Sequence, residues 1–308
     1  MGRRCRTYLP HGGIIMTKIE WAQNADGTPG RTWNPTTGCD KISPGCGLPR
    51  FEGDDTGGCY ALAMAKRLKA MGQAKYQNDG DPRTSGPGFG LTIHPSALDI
   101  PLGVRKPTTW FVNSMSDLFH ARVPVNFIGG AWNVMALTPW HTYQILTKRP
   151  ERARKILSEW EANSWLWRKE DMIWCGPIPG PLPNVHVGTS IELDRYCRRA
   201  DDLRETPAAV HFLSLEPLLG PLLSLDLTGI GWVIIGGESG PGSRPLDLGW
   251  VRDLIAQCRE AGTAVFVKQL GSQWARENGG SGKGGDRSAW PEDLRIRQFP
   301  LAAEVAAS

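Results

Sequence analysis

Three cysteines fall within 21 residues: Cys39, Cys46 and Cys59. Six residues separate the first two and twelve separate the second pair. Thiolates at such density suit a metal ion or an iron–sulfur cluster. Structural zinc wants four ligands in a closed tetrahedron. No further Cys or His lies in this stretch, so zinc would need a distant ligand such as His120. A [4Fe–4S] cluster held by three thiolates leaves one iron open, and an open iron can bind a small molecule through amino and carboxylate groups. Three unligated thiols are the remaining reading, and a count of cysteines does not decide among the three.

The stretch that carries them, Trp33 to Tyr60, is rich in turn formers: Gly38, Pro44, Gly45, Gly47, Pro49, Gly53, Gly57 and Gly58. Such a loop can fold back on itself. After Cys59 the apolar residues Ala61, Met64, Ala65, Leu68 and Met71 recur at helical spacing, and Gly72 can end the helix. Cys59 is then expected at a helix amino terminus, where the macrodipole favours a thiolate.

The elements that position this loop are short apolar runs at long intervals. They are 109–113, 143–147, 185–189, 211–215, 232–236 and 264–268, with a shorter first candidate near 31–34. Helical patterns lie between them, among them 151–161, 194–204 and 248–261. Strand and helix in alternation predict a parallel sheet, here a partial or complete β/α (TIM-like) barrel. An open doubly wound sheet is the competitor, and no G-x-G-x-x-G follows the first strand to support its dinucleotide-binding form.

In such barrels chemistry sits at the carboxyl ends of the strands. Those ends carry Asp117, Lys148 and Arg149, Thr189 and Ser190, Ser214 and Glu216, then Gly236, Gly237, Glu238 and Ser239, and finally Lys268. Asp117, Lys148, Arg149, Glu216 and Lys268 are candidates for substrate contact or proton transfer. The run Gly236 to Arg244 offers backbone N–H groups, and Arg244 offers a fork for an anion. Glu216 and Glu238 also suggest a glycosidase-like carboxylate pair.

The whole chain has 308 residues, 40% of them hydrophobic and 21% charged, with a net charge of +4. A soluble core is expected, general disorder is not, and no run is long enough to span a membrane. Seven cysteines, an odd number in a chain this long, argue against a secreted disulfide scaffold and for a reducing cytoplasm. Residues 1–15 read as a flexible extension or a misassigned start, and Cys5 within them is not expected to be functional. Residues 16–275 read as a single barrel domain with its cysteine loop at 33–60, and 276–308 as a tail that partly docks. The interval 73–105, rich in Gly, Pro and Asp, reads as a loop excursion.

The segments TKIEW, WNPTTGC, DKISPGC, GCYALAMAKRL, YQILTKRPERA, VHVGTSIE, FLSLEPLLGP, WVIIGGESGPGSRP, FVKQLG and WPEDLRIRQFP together carry a resemblance. They resemble a phage-associated three-cysteine-motif family of unknown function that is similar to radical S-adenosylmethionine enzymes. The resemblance covers residues 16–300. It implies a partial β/α barrel of the radical S-adenosylmethionine type, with Cys39, Cys46 and Cys59 holding a [4Fe–4S] cluster and S-adenosylmethionine at its open iron. Cleavage to a 5′-deoxyadenosyl radical would then abstract hydrogen from a substrate. Thr189, Ser190, Gly236, Gly237, Glu238, Ser239 and Arg244 are the candidates for holding the cofactor, and Tyr60 or Cys197 for donating a hydrogen atom.

The family usually places two residues between its second and third cysteines, where this chain has twelve. Either the insertion bulges outward and the geometry is kept, or the cluster is lost or altered. The intact motifs on both sides favour the bulge. The resemblance further implies an electron donor such as flavodoxin or ferredoxin, and a neighbouring-gene partner protein. A nucleic acid base or nucleoside is the substrate class expected, and the arginines at 149, 152, 154, 195, 198, 199 and 204 fit a polyanion. The competing functions are a zinc-stabilised nucleic-acid-binding protein without catalysis and a barrel hydrolase using Glu216 and Glu238.

Overall fold

A computed structural model of the chain describes residues 19–54, 57–163 and 181–300. The expected extension at 1–15 and the last eight residues of the tail lie outside them. Seven parallel strands form one curled sheet, a half-barrel, in the order β1 (Arg31–Thr32), β4 (Thr109–Val112), β5 (Thr142–Thr147), β6 (Val185–Ser190), β7 (Val210–Leu215), β8 (Trp232–Gly236) and β9 (Ala264–Gln269). A small antiparallel pair, β2 (Thr36–Thr37) and β3 (Thr92–Ile93), stands beside it. Each strand of the main sheet pairs with the next one of that sheet along the chain, so every parallel pair is joined by a crossover connection. The expected runs at 109–113, 143–147, 185–189, 211–215, 232–236 and 264–268 all lie in strands, with ends moved by at most one residue.

Side chains alternate across this sheet. Val112, Ile145, Val187, Leu213, Val233 and Val267 point outward into the main core, beneath α2 (Val125–Leu137), α3 (Pro150–Asn163) and α5 (Leu248–Ala261). Their neighbours Phe111, Leu146, Phe212, Trp232, Ile234 and Phe266 point inward and fill the floor of the half-barrel with Trp21. Trp232 touches Trp21, Phe212, Phe266 and Phe299, with ring centroids 5.6–6.1 Å apart. Aromatic rings in edge-to-face and tilted contact form a rigid base.

Helix α5 matches its expected range. Asp247 caps it by accepting from the N–H of Gly249, and Gly262 ends it at φ 68°. The segment expected as one helix over 194–204 instead breaks at Cys197. A 3₁₀ turn (Asp194–Tyr196) precedes α4 (Arg198–Arg204). The Asp194 carboxylate accepts from the backbone N–H and hydroxyl of Ser224, which ties that turn to the loop after β7. The interval 73–105 holds only 3₁₀ turns and β3. The tail closes the free edge of β9, with Val267 N–H donating to Ile296 and Gln298 N–H to Val265. Trp290 and Leu294 of the tail are buried in the main core.

Candidate functional site at the carboxyl rim of the half-barrel

The chain from β1 passes through β2 and enters the cysteine loop, which lies over the carboxyl ends of the strands. Gly38 N–H donates to Met115, and Ser116 Oγ donates to the Gly38 carbonyl at 2.6 Å, so the loop is tied to the end of β4 just before Cys39. All three cysteines are half-buried. Cys46 lies within electrostatic reach of both Cys39 and Cys59. Among the described residues, no three His, Cys, Asp or Glu side chains are close enough to share one metal ion.

Each thiol has polar company. An Arg149 N–H donates to Cys39 Sγ at 3.5 Å and to Asp117 Oδ2 at 2.9 Å. Asp117 also accepts from the Thr147 hydroxyl and from the backbone N–H groups of Phe119 and Lys148, which fixes it at the end of β5. Burial pushes the Cys39 thiol up to about 12; Asp117 adds to the rise and Arg149 opposes it. The Ser43 hydroxyl lies 3.7 Å from Cys46 Sγ. Cys59 precedes α1 (Tyr60–Ala70), as expected. Burial raises its thiol and the backbone N–H groups of Leu62 and Ala61 oppose that rise, although the sulfur makes no capping hydrogen bond to the helix.

Two buried ion pairs hold the loop from below. Glu192 is fully buried, accepts from Arg199 at 3.0 Å and from the Gly45 N–H at 3.3 Å, and lies 4.0 Å from Lys148 Nζ. Arg244 donates to both oxygens of Glu238 and to the Pro44 carbonyl at 2.9 Å. Glu238 and Arg244 were expected to meet a cofactor. The structure instead places them beneath the cysteine loop, their side chains 3% and 2% exposed. Thr189 is likewise buried, its hydroxyl donating to the Thr147 carbonyl.

A second pair stands on the rim itself. Lys268 Nζ lies 2.7 Å from both oxygens of Glu216, and Gln269 donates to the same carboxylate at 3.1 Å. The pair stays partly open to solvent. A Cβ on Gly236 would approach Glu216 Cγ to 3.2 Å, so a small residue there leaves room for the carboxylate. Gly237 N–H donates to the Gln269 carbonyl, and Ser239 Oγ is 3.4 Å from Gln269 Nε2. Ser190 and Ser214 are register partners on the inward face at the same level. Glu216 and Glu238, read as a carboxylate pair, are each held by a cation of their own.

Other expected contributors sit elsewhere. His120 gives Nε2 to Asp40 at 2.9 Å and accepts from the Arg122 N–H on Nδ1, so both ring nitrogens are engaged. Cys197 is buried at the start of α4 against Asp194 and pushed up to about 12 by burial. Tyr60 is 66% exposed on the first turn of α1. Of the arginines expected to fit a polyanion, Arg152 donates to two carbonyls, Arg154, Arg199 and Arg204 are paired with carboxylates, and Arg195 and Arg198 are exposed. Sequence reasoning missed the role of Glu192 under Gly45. An acidic residue between Ile191 and Leu193 was the available signal.

The fold and rim define a half-barrel α/β protein with three cysteines gathered over the carboxyl ends of its strands. A family described as protein of unknown function (DUF5131) matches residues 16–296, and the chain belongs to it. It matches no curated protein and no solved structure. No helix of the described residues is long and apolar enough to cross a membrane.

Proposed function

We propose that this protein is a cytoplasmic radical S-adenosylmethionine enzyme whose cysteines 39, 46 and 59 hold a [4Fe–4S] cluster. The observation that carries the reading is the convergence of three thiols on one rim, with the Arg149 guanidinium on Cys39 and Cys59 at the amino terminus of α1. A guanidinium on one sulfur and a helix amino terminus beside another suit an anionic centre. When bound, the cluster would supply the electron and the binding point for reductive cleavage of S-adenosylmethionine to a 5′-deoxyadenosyl radical.

The chain's own residues have separable tasks in this reading. Arg149 stabilises negative charge at Cys39 and is itself oriented by Asp117. Glu192 and Arg199 seat the turn at Gly45. Lys268 and Glu216 present a cation and a carboxylate at the open rim, where a substrate can exchange a proton or bind through hydrogen bonds. The aromatic floor excludes water from below. The substrate class proposed is a nucleic acid base or nucleoside, with flavodoxin or ferredoxin as electron donor.

The test is anaerobic incubation of reconstituted protein with dithionite and S-adenosylmethionine. 5′-Deoxyadenosine is expected, and its formation should vanish in each of Cys39→Ala, Cys46→Ala and Cys59→Ala. Equal nucleoside from the variants would overturn the proposal.

A further inference from the structure

Twelve residues separate Cys46 from Cys59, yet the two ends of that stretch meet. Gly47 adopts φ 88°, and a Cβ built on it would lie 2.7 Å from the Gly57 carbonyl and 3.8 Å from the Cys59 nitrogen. The intervening chain therefore leaves and returns at one point. A Cβ on Gly57 would overlap the Glu238 carboxylate, so the returning strand of the loop lies directly on that group. Arg244, bound to Glu238, also holds the outgoing side through the Pro44 carbonyl at 2.9 Å. Arg50 and Asp54 form a bidentate pair within the insertion at 2.8 and 2.9 Å, and Asp54 lies 3.9 Å from Arg244 Nη1. Arg50 Nη1 reaches the Leu219 carbonyl at 3.5 Å, while Arg195 donates to the Arg50 carbonyl at 3.1 Å.

We infer that the buried Glu238–Arg244 pair is a clamp that closes the base of the insertion and so keeps Cys46 and Cys59 at one site. Glu238 and Arg244 are positioning residues, which act on the thiols through Gly57 and Pro44. An open twelve-residue loop would let its ends separate, and closing it costs entropy that fixed contacts at the base must offset. A buried carboxylate and guanidinium bound to each other and to backbone are suited to this, because removing one strands the other. The inference deepens the cluster proposal by giving its insertion a structural device. It concerns the thiols alone, so it can be tested without metal.

The experiment uses full-length, metal-free, reduced protein carrying Cys39→Ala and the thiol-bridging reagent dibromobimane. Peptide mass spectrometry then scores bridging of Cys46 to Cys59. Bridging is expected in this background and should fall at least about tenfold in Glu238→Ala, with Glu238→Gln between the two. A companion protein has the stretch between Cys46 and Cys59 shortened to two residues. There the chain itself holds the thiols together, and Glu238→Ala should leave bridging unchanged. A merely structural role for Glu238 would lower bridging in both lengths of loop, and that result would overturn the clamp. So would full bridging in Glu238→Ala with the long loop, or none in the Cys39→Ala background. If bridging behaves as expected but no iron is bound, the cluster proposal fails and the clamp stands.

Discussion

Arg149 reaches from the end of β5 to within 3.5 Å of the Cys39 sulfur, while the same nitrogen holds Asp117 at 2.9 Å. The contact joins a strand-end cation to a cysteine 110 residues away in the chain. A charge-assisted hydrogen bond to a thiolate ligand favours the more negative, reduced state, so its removal should make a cluster bound there harder to reduce. A bond of about 1.5–3 kcal/mol corresponds to a one-electron shift of about 60–130 mV. Arg149→Ala should therefore lower the reduction potential by that amount in an EPR-monitored titration, and Arg149→Lys by less.

Glu216 and Lys268 form the partly open pair on the rim and, among the described residues, make no hydrogen bond to the cysteine loop. Lys268→Ala and Glu216→Gln should bind as much iron as the unaltered protein. Turnover should nevertheless fall by about a hundredfold, the usual loss when a proton-transfer group goes. Iron analysis beside a 5′-deoxyadenosine assay checks this. Loss of iron in either variant would place the pair in the cluster's support.

His186 lies on the inward face of β6, and its Nδ1 has no hydrogen-bond partner among the described residues. Burial lowers its pKa from 6.5 to about 4. The folded protein thus resists protonation that the unfolded chain accepts, so stability is full above about pH 6.5 and declines as pH falls toward 4. The loss has an upper limit of about 3 kcal/mol. Urea midpoints across this range should fall less steeply in His186→Gln than in the unaltered protein.

Trp232 joins Trp21, Phe212, Phe266 and Phe299 on the barrel floor and is fully buried. Trp232→Ala should cost about 3–5 kcal/mol in urea unfolding. Exposed Leu223, at 82%, should tolerate alanine with a change within about 0.5 kcal/mol.

Strands β4 to β9 were legible in the sequence because each is a short apolar run bounded by polar residues, and burial on both faces is what such a run records. Helix α1 was legible from the period of its apolar residues after Cys59. Arg244 and Glu238 were legible as strand-end polar residues, but not as a buried pair. Their role depends on Pro44 and Gly57, almost two hundred residues earlier, and no local pattern carries that distance. The break at Cys197 was hidden for the same reason, since Ser224 engages Asp194 from another loop.

Anaerobic purification with iron, sulfide and zinc analysis tests the central claim most directly, with a Cys39/Cys46/Cys59 triple alanine variant beside it. The account predicts about four irons per chain, a brown protein absorbing near about 400 nm, and loss of both in the variant. Stoichiometric zinc, or no metal after anaerobic reconstitution, would contradict it.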